Sequence, residues 1–334
     1  MNIYISHMTA VWFWRTVYHN DRSPAGALWS AELLDPCVTA EDIWSYMPSW
    51  ATSSFTALVD GRIDVLVPDK NMCWKSSTRV SHMWSGKLPP GSLFSARDDV
   101  FVSSPEFVFL QLASQCTLAE LVAYGCELCG TYAFDPSSLR GFKKRLKPLT
   151  TKAKLIQYLE GAAGSKGVEK GLRAAHLVIE NCASPMETAV ALLLCLPYRY
   201  GGYGLIAPEM NFRIDLPLEL QKRVGKSHLK ADFYWQGCHV ILEYQGEFDH
   251  SGRAAINADS NRLSVLRELG FSVEFLTWGQ VVDLAGFELV VMRLSRSVGK
   301  RISTKYRGMT RARGELRDEL FAWNAANGIP GFCR

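Results

Sequence analysis

Short apolar runs separated by turn residues dominate the first third of the chain and predict β-strands. Four such runs lie at 55–60, 62–68, 77–84 and 99–103, and their content of Val, Ile and Phe is typical of strands. A helix start follows at Ser104, because Ser is a preferred N-cap residue and Pro105 suits the first helical turn. We therefore predict an N-terminal region that combines strands with helices.

Apolar positions recur more regularly in the second half of the chain, and their spacing predicts alternating helices and strands. Ser184, Pro185 and Glu187 mark a helix start as N-cap, N1 and N3 residues. The pattern then predicts the order α-β-β-β-α-β-α, at about 185–196, 211–217, 229–235, 238–245, 254–269, 271–277 and 279–296. This order is typical of an α/β (α+β) domain in which helices flank one central mixed sheet.

The domain organisation follows from these patterns and from one basic, Pro-containing run at 142–154, which we interpret as the link between the halves. We predict four segments: a smaller α+β N-terminal region at 1–150, a helical linker at 151–182, the C-terminal domain at 183–296 and a basic tail at 297–334.

Composition narrows the class of protein only a little. Hydrophobic residues make up 48% and charged residues 21% of the 334 residues, as in ordinary globular proteins. The net charge of +4 permits a nucleic-acid partner without requiring one. No apolar run approaches the roughly 20 residues that span a bilayer, and no signal peptide is evident, so we expect a cytoplasmic protein. The nine cysteines include one close pair, Cys126 and Cys129, which lacks the second pair of a zinc site.

Two predicted strands, 229–235 and 238–245, are separated only by Gln236 and Gly237. A two-residue loop would place Lys230 opposite Glu243 and make Asp232 the diagonal neighbour of Glu243 on the same face. Two carboxylates on adjacent strands could then bind one Mg²⁺, which takes one or two carboxylates and keeps several waters. The alternative is an ordinary polar face with a Lys230–Glu243 ion pair.

Four further polar residues are candidates, each with a structural alternative. Arg262 and Asp259 lie on the inner face of the next helix, where Arg262 would hold Asp259, contact a phosphate or form a boundary ion pair. His250 would act as a general base or phosphate contact, or remain a solvated loop residue. Glu187 would reach the metal, or serve only as a capping-box residue.

The run from Arg293 to Arg317 contains nine Lys and Arg residues and one acidic residue, Glu315. Its first four cations are Arg293, Arg296, Lys300 and Arg301. Such a cluster is typical either of a surface that contacts the DNA phosphate backbone or of a solvated basic tail.

Several of these segments together resemble a known family. They are SPMET at 184–188, KADFYW at 230–235, VILEYQGEFDH at 240–250, D-x-x-R at 259–262 and LRELGFSVEFLTW at 266–278. Over residues 181–292 the chain resembles the very-short-patch-repair (Vsr-like) endonuclease domains of the PD-(D/E)XK superfamily. The resemblance implies a restriction-endonuclease-like fold that binds Mg²⁺ or Mn²⁺.

The same resemblance assigns roles to individual residues. Asp232 and Glu243 match the metal carboxylates, and four other residues match recurrent polar positions of the site: Glu187, His250, Asp259 and Arg262. Gln245 departs from the family, which has Asp there, and from the wider superfamily, which has Lys. Either Lys230 supplies the missing positive charge or the site is impaired.

The first half is similar, over 82–114, to the antitoxin-like AbiEi family, with short strands and an S-P-E helix start. This implies a defence or mobile-element context and a protein partner at the N-terminal region. We expect a metal-dependent DNA endonuclease with DNA as its partner and with neither a membrane nor a small-molecule cofactor. The alternatives are a catalytically impaired DNA-binding regulator and a protein-interaction protein without affinity for metal or DNA.

Overall fold

The computed structural model describes residues 2–17, 25–28, 62–73, 79–85, 87–97, 100–246, 253–302 and 307–331. These residues form a mixed α/β protein that divides into two compact units. Unit 1 comprises Met1–Leu128 and Arg145–Val178, and unit 2 comprises Cys129–Lys144 and Ile179–Arg334. The chain therefore enters unit 2, returns to unit 1 for 34 residues and then completes unit 2.

Unit 1 contains a mixed sheet. Its strands are β1 (Ile3–Ile5), β2 (Ala25–Leu28), β3 (Ile63–Val67), β4 (Arg79–Met83), β5 (Leu93–Arg97) and β6 (Val100–Ser103). The strand order is β2-β5-β6-β1-β3-β4, with β1 parallel to β6 and antiparallel to β3. The central strands are buried, as in Ile3, Ile5 and Ile63, so the sheet forms the core of the unit.

Five described helices accompany this sheet. They are α1 (His7–Val17), α2 (Pro105–Leu112), α3 (Leu118–Leu128), α4 (Lys152–Gly161) and α5 (Val168–Leu177). Ser104 caps α2 by accepting a hydrogen bond from the Phe107 N–H, as the sequence predicted. A buried ion pair joins α1 to α3, because the Arg15 guanidinium lies 2.7 Å from the Glu127 carboxylate and Arg145 approaches the same carboxylate at 3.8 Å.

His7 begins α1 in an unusual backbone conformation, with φ at +46°. Its ring stacks on His82 with 3.6 Å between centroids, and His82 Nε2 lies 2.7 Å from Asp64 Oδ1. Burial, with the neighbouring His82 adding to it, lowers the pKa of His7 to about 3. Left-handed backbone is uncommon for residues other than Gly and suits Asn or Asp best, so neighbouring contacts must hold His7 in place.

Unit 2 contains the predicted second sheet and an additional hairpin. The hairpin consists of β7 (Tyr132–Phe134) and β8 (Phe142–Lys144), and the sheet of β9 (Glu209–Asp215), β10 (His228–Trp235), β11 (Val240–Gln245) and β12 (Ser272–Thr277). The strand order is β12-β11-β10-β9. Because β11 and β12 are parallel and the others antiparallel, the sheet is mixed, which confirms the predicted α/β class.

Six described helices complete unit 2: α6 (Pro185–Cys195), α7 (Leu218–Val224), α8 (Arg253–Glu268), α9 (Trp278–Val282), α10 (Leu284–Ser297) and α11 (Arg307–Ala326). Helix α8 connects β11 to β12, the crossover that a parallel pair requires. Its residues Val265 and Leu266 pack on Ala231 and Ile241 of the sheet. Ser184 caps α6 by accepting from the Glu187 N–H.

The structure differs from four of the predicted segment assignments. Residues 151–178 belong to unit 1 and contain α4 and α5 rather than forming a separate linker, whereas 179–182 belong to unit 2 and 142–144 form a strand of unit 2. The predicted helix at 279–296 is two helices, because Asp283 caps α10 with its side chain on the Ala285 and Gly286 N–H groups. The predicted tail contains α11, whose apolar face includes buried Leu316 and Leu320.

None of the helices in the described part of the chain combines the length and apolar character needed to cross a membrane.

Candidate functional site

The β10–β11 hairpin has a different register from the one expected. Trp235 pairs with Val240 and Phe233 with Leu242, so a helical turn at 236–238 and His239 together form a four-residue connection. A two-residue type I′ loop needs positive φ at both central residues, which Gln236 does not favour, whereas here His239 alone has positive φ, at +53°. Continuing this register places Asp232 opposite Glu243 rather than diagonal to it.

The prediction that this face of the hairpin is polar and open is also wrong. Ile241 and Tyr234 pack against α8 in a buried cluster that includes Ala231. Ala231 and Tyr234 are three residues apart, so strict alternation is interrupted between them, at Asp232 and Phe233. On the neighbouring strand β9, Asn211 has φ at +56° at the matching point of the ladder. Both neighbouring strands are therefore irregular at the level of Asp232.

Asp232 is the centre of an acidic cluster with Glu187 and Glu243. Its Oδ2 accepts a hydrogen bond of 2.9 Å from the Tyr244 N–H, and its carboxyl group hydrogen-bonds to Glu243. Its negative charge also raises the pKa of Glu187 on α6. Asp232 therefore links a carboxyl group from the helix to one from the neighbouring strand.

Glu187 is tied to the start of α6 and also lies beside Asp232. It accepts hydrogen bonds from the Ala183 N–H at 2.8 Å and the Ser184 hydroxyl at 3.0 Å, which tie it to the start of α6. It also accepts from Asn211 Nδ2, so the left-handed turn of β9 holds it beside Asp232. Burial, with Asp232 as the next cause, raises its pKa to about 7.

Glu243 is held by Arg262, a partner that the sequence did not predict. Arg262 donates to both carboxylate oxygens of Glu243, at 2.8 and 2.9 Å, and to the backbone carbonyl of Lys230. Glu243 thus pairs with Arg262 and not with Lys230. Burial and the Asp232 charge raise the pKa of Glu243 to about 7 against the opposing effect of Arg262. The bidentate pair fixes α8 to the edge of the acidic cluster.

A cavity of about 360 Å³ in unit 2 opens beside this cluster. Glu187 and Asp232 line one part of it, and we call it the acidic cavity. Three aromatic side chains, Phe142, Tyr244 and Trp278, also line it and are each half-buried. Small molecules and nucleotides are bound in cavities of this kind, where a few polar groups are placed among apolar walls.

A second, wider depression of about 950 Å³ adjoins the first, and we call it the basic groove. It is lined by residues 225–229 together with Lys144, Lys230 and Arg262, and Lys226 and His228 lie within that segment. Its described lining contains no Asp or Glu. Lys144 and Lys230 line both cavities, so they form the boundary between the basic groove and the acidic cavity.

Several of these residues were missed in the sequence. Phe142 and Lys144 lie in a basic run that we interpreted as a linker, and Arg140 precedes them in the turn of the β7–β8 hairpin. Their proximity to Asp232 depends on tertiary structure, so spacing alone could not reveal it. Asn211 was the one local signal, because Asn is unfavourable in strands and tolerates left-handed backbone.

Among the described side chains, Gln245 and the predicted basic residues of the C-terminal run do not line the acidic cavity. Gln245 pairs with Thr277 of β12, and Tyr244 and Gly246, its neighbours, line the cavity instead. His250 lies outside the described residues, and Asp259 lies in α8 with its side chain outside them. The predicted phosphate-binding cations Arg293, Arg296, Lys300 and Arg301 line neither cavity, and Arg293 pairs with Glu274 at 3.3 Å.

The basic C-terminal run is partly structural rather than a solvated tail. Arg313 is 4% exposed, lies 4.1 Å above the Tyr203 ring and contacts Glu288 at 3.2 Å. Arg317 is 6% exposed and lies over the Phe287 ring of α10, at 5.7 Å, as well as over the Phe321 ring of its own helix. Both arginines therefore attach α11 to the rest of unit 2.

No family model, curated protein or solved structure matches this chain. The resemblance of residues 181–292 to Vsr-like endonuclease domains therefore stays a prediction, as does the AbiEi-like resemblance of 82–114.

The acidic cluster offers only oxygen donors, which suits a hard divalent cation. Within the described residues, no group of three or more His, Cys, Asp or Glu side chains is spaced to hold a metal ion. The cluster therefore suits an ion that is held by two carboxylates and completes its coordination with water, as is usual for Mg²⁺. The raised pKa values of Glu187 and Glu243 are in keeping with this fit, because a divalent cation would neutralise the crowded charges around Asp232.

Proposed function

We propose that unit 2 is a Mg²⁺- or Mn²⁺-dependent endonuclease that hydrolyses phosphodiester bonds in DNA. The observation that supports this most is the position of Asp232, which is coupled to Glu187 and Glu243 and lines a cavity beside a basic groove. Acidic residues that bind a metal next to cations that bind a phosphate chain are what this reaction needs.

A restriction-endonuclease-like fold of the PD-(D/E)XK type, similar to Vsr-like domains, is part of the proposal. The order of elements supports it: α6 with its acidic residue precedes an antiparallel hairpin, and α8 then leads to a parallel strand. The two proposed metal carboxylates, Asp232 and Glu243, lie on adjacent strands of that sheet.

Each residue has a distinct role in the proposed reaction. When bound, Mg²⁺ supplies a water of lowered pKa and polarises the phosphodiester. Asp232 would hold the ion together with one second carboxylate, either Glu243 on the neighbouring strand or Glu187 on the cavity wall. Arg262 orients Glu243, and Lys230 neutralises the charge of the phosphate at the boundary of the two cavities.

Cleavage of supercoiled plasmid in Mg²⁺ or Mn²⁺ tests this function. We expect nicking by the wild type, its loss in EDTA, and at least a hundredfold lower rate for Asp232→Asn, because one of the two metal carboxylates is removed. Asp215→Asn is the matched control, since Asp215 is an exposed residue of the same sheet that pairs with Arg213. Equal rates for wild type and Asp232→Asn would remove Asp232 from the mechanism.

A second candidate function is DNA binding without turnover, as in a regulator that has lost its nuclease activity. The observation that favours it is Arg262, which occupies both oxygens of Glu243, together with the neutral Gln245 at a position where the superfamily has Lys. This candidate predicts salt-sensitive DNA binding and no cleavage in either metal. Activity restored in Gln245→Lys would show that the residue change alone accounts for the loss.

A further inference from the structure

The acidic cavity has room for one nucleotide rather than for a duplex. Its volume of about 360 Å³ lies near the lower end of the range for pockets that hold one small molecule. Glu187 is only 8% exposed, so a phosphate that reaches both Glu187 and Asp232 has to enter the cavity. A nucleotide can do this when its base is not stacked and paired in a duplex.

The side chains around the cavity suit such a nucleotide. Phe142, Tyr244 and Trp278 are half-buried and line the cavity, so a base inside it can stack on the exposed part of one of these rings. Stacking on aromatic residues is how proteins bind unpaired bases whatever their sequence. Lys144 and Lys230 are exposed at the boundary, where the phosphates on either side of that nucleotide would lie.

The basic groove extends this arrangement along the strand. It is wider than the acidic cavity, at about 950 Å³, and its lining includes Lys226 and His228. A positively charged groove combined with aromatic side chains is typical of proteins that bind single strands without sequence preference. A strand could therefore follow the groove and deliver one nucleotide past Lys144 and Lys230.

We propose that the substrate is single-stranded DNA, with its backbone in the basic groove and one nucleotide inside the acidic cavity. The β7–β8 hairpin then contributes to the preference for a single strand, because it supplies Phe142 and Lys144 to the wall of the cavity. The inference depends on the proposed function only in taking DNA as the substrate.

Binding in Ca²⁺ tests this without requiring cleavage. The probe is a fluorescein-labelled 15-nucleotide strand of mixed sequence, compared with the same strand annealed to its complement. We expect at least tenfold tighter binding of the single strand. Lys144→Ala should weaken that binding about threefold to tenfold and reduce the salt slope by about 0.7, the value for one phosphate contact in single strands. Lys166→Ala, an exposed lysine of unit 1, is the control and should change neither quantity.

A second variant pair examines stacking. Trp278→Leu should weaken single-strand binding about tenfold, whereas Trp278→Phe, which keeps a ring, should retain most of the affinity. Equal affinity for the two probes, or equal effects of Leu and Phe at 278, would overturn the inference even if plasmid nicking is observed. Preferential single-strand binding with these effects would support it even if the protein proves unable to cleave, so the two proposals fail independently.

Discussion

Replacing Asp232 with Asn should make unit 2 more stable at alkaline pH while it removes the proposed metal ligand. Glu187 and Glu243 are 8% and 5% exposed, and their pKa values are raised from 4.5 to about 7. One pKa unit corresponds to about 1.4 kcal/mol, so ionising each of them in the folded protein costs on the order of 3 kcal/mol. Burial is the larger cause of both pKa shifts, and the Asp232 charge is the second. We therefore expect Asp232→Asn to raise the free energy of unfolding by about 1–2 kcal/mol.

The sign of this effect depends on pH. The folded protein keeps protons on Glu187 and Glu243 that the unfolded chain has lost above pH 4.5, so stability falls as pH rises from about 4.5 to about 7. The gain from Asp232→Asn is therefore present at about pH 8 and largely absent at about pH 5. The Asn carbonyl can still accept from the Tyr244 N–H, so little is lost in exchange.

Urea unfolding in EDTA at both pH values measures this directly, with Asp215→Asn as the exposed control, which should change stability by less than about 0.5 kcal/mol. A lower stability of Asp232→Asn at about pH 8, or the same gain at both pH values, would refute the reasoning. It would mean that the carboxyl groups are not crowded as described.

Three further predictions concern residues outside the acidic cluster. Arg15→Met should lower the free energy of unfolding by about 3–5 kcal/mol, since Glu127 would remain buried without its closest partner, and an unchanged urea midpoint would contradict this. Arg313→Ala should lower stability by about 2 kcal/mol in thermal melts yet change DNA affinity less than twofold in gel-shift assays, because the side chain is 4% exposed. His7 has its pKa lowered to about 3, so its contribution to stability is present above pH 6.5 and declines as pH falls. The free energy of unfolding of the wild type should therefore fall by about 2 kcal/mol between about pH 7 and pH 5. This fall should be absent in His7→Asn, because Asn suits the left-handed backbone and does not titrate. Parallel pH profiles of variant and wild type would exclude this role for His7.

The sequence predicted those elements whose signals are local. The helix start at Ser184, the strands of the β10–β11 hairpin and the crossover helix α8 all follow from caps and apolar periodicity, and each is present within a few residues of its predicted bounds. The residues of the acidic cluster were also identified in advance, because the predicted pairing of two adjacent strands brings Asp232 and Glu243 close together and Glu187 falls at N3 of a predicted helix.

Other features depend on contacts that no local pattern reports. The hairpin register changed because the chain forms a helical turn with His239 in left-handed backbone. Helix α11 was missed because its arginines, such as Arg313 and Arg317, resemble a solvated charge cluster until aromatic rings cover them. The aromatic and basic walls of the acidic cavity come from a hairpin that is separated from the sheet by an excursion of the chain into unit 1.

Anomalous scattering from crystals soaked in Mn²⁺ tests the proposed metal centre most directly. We predict a single strong peak about 2.0–2.3 Å from a carboxylate oxygen of Asp232 and from one oxygen of Glu187 or Glu243, with water at the remaining positions. A peak bound elsewhere in unit 2, or none at Asp232 in crystals saturated with Mn²⁺, would contradict the account.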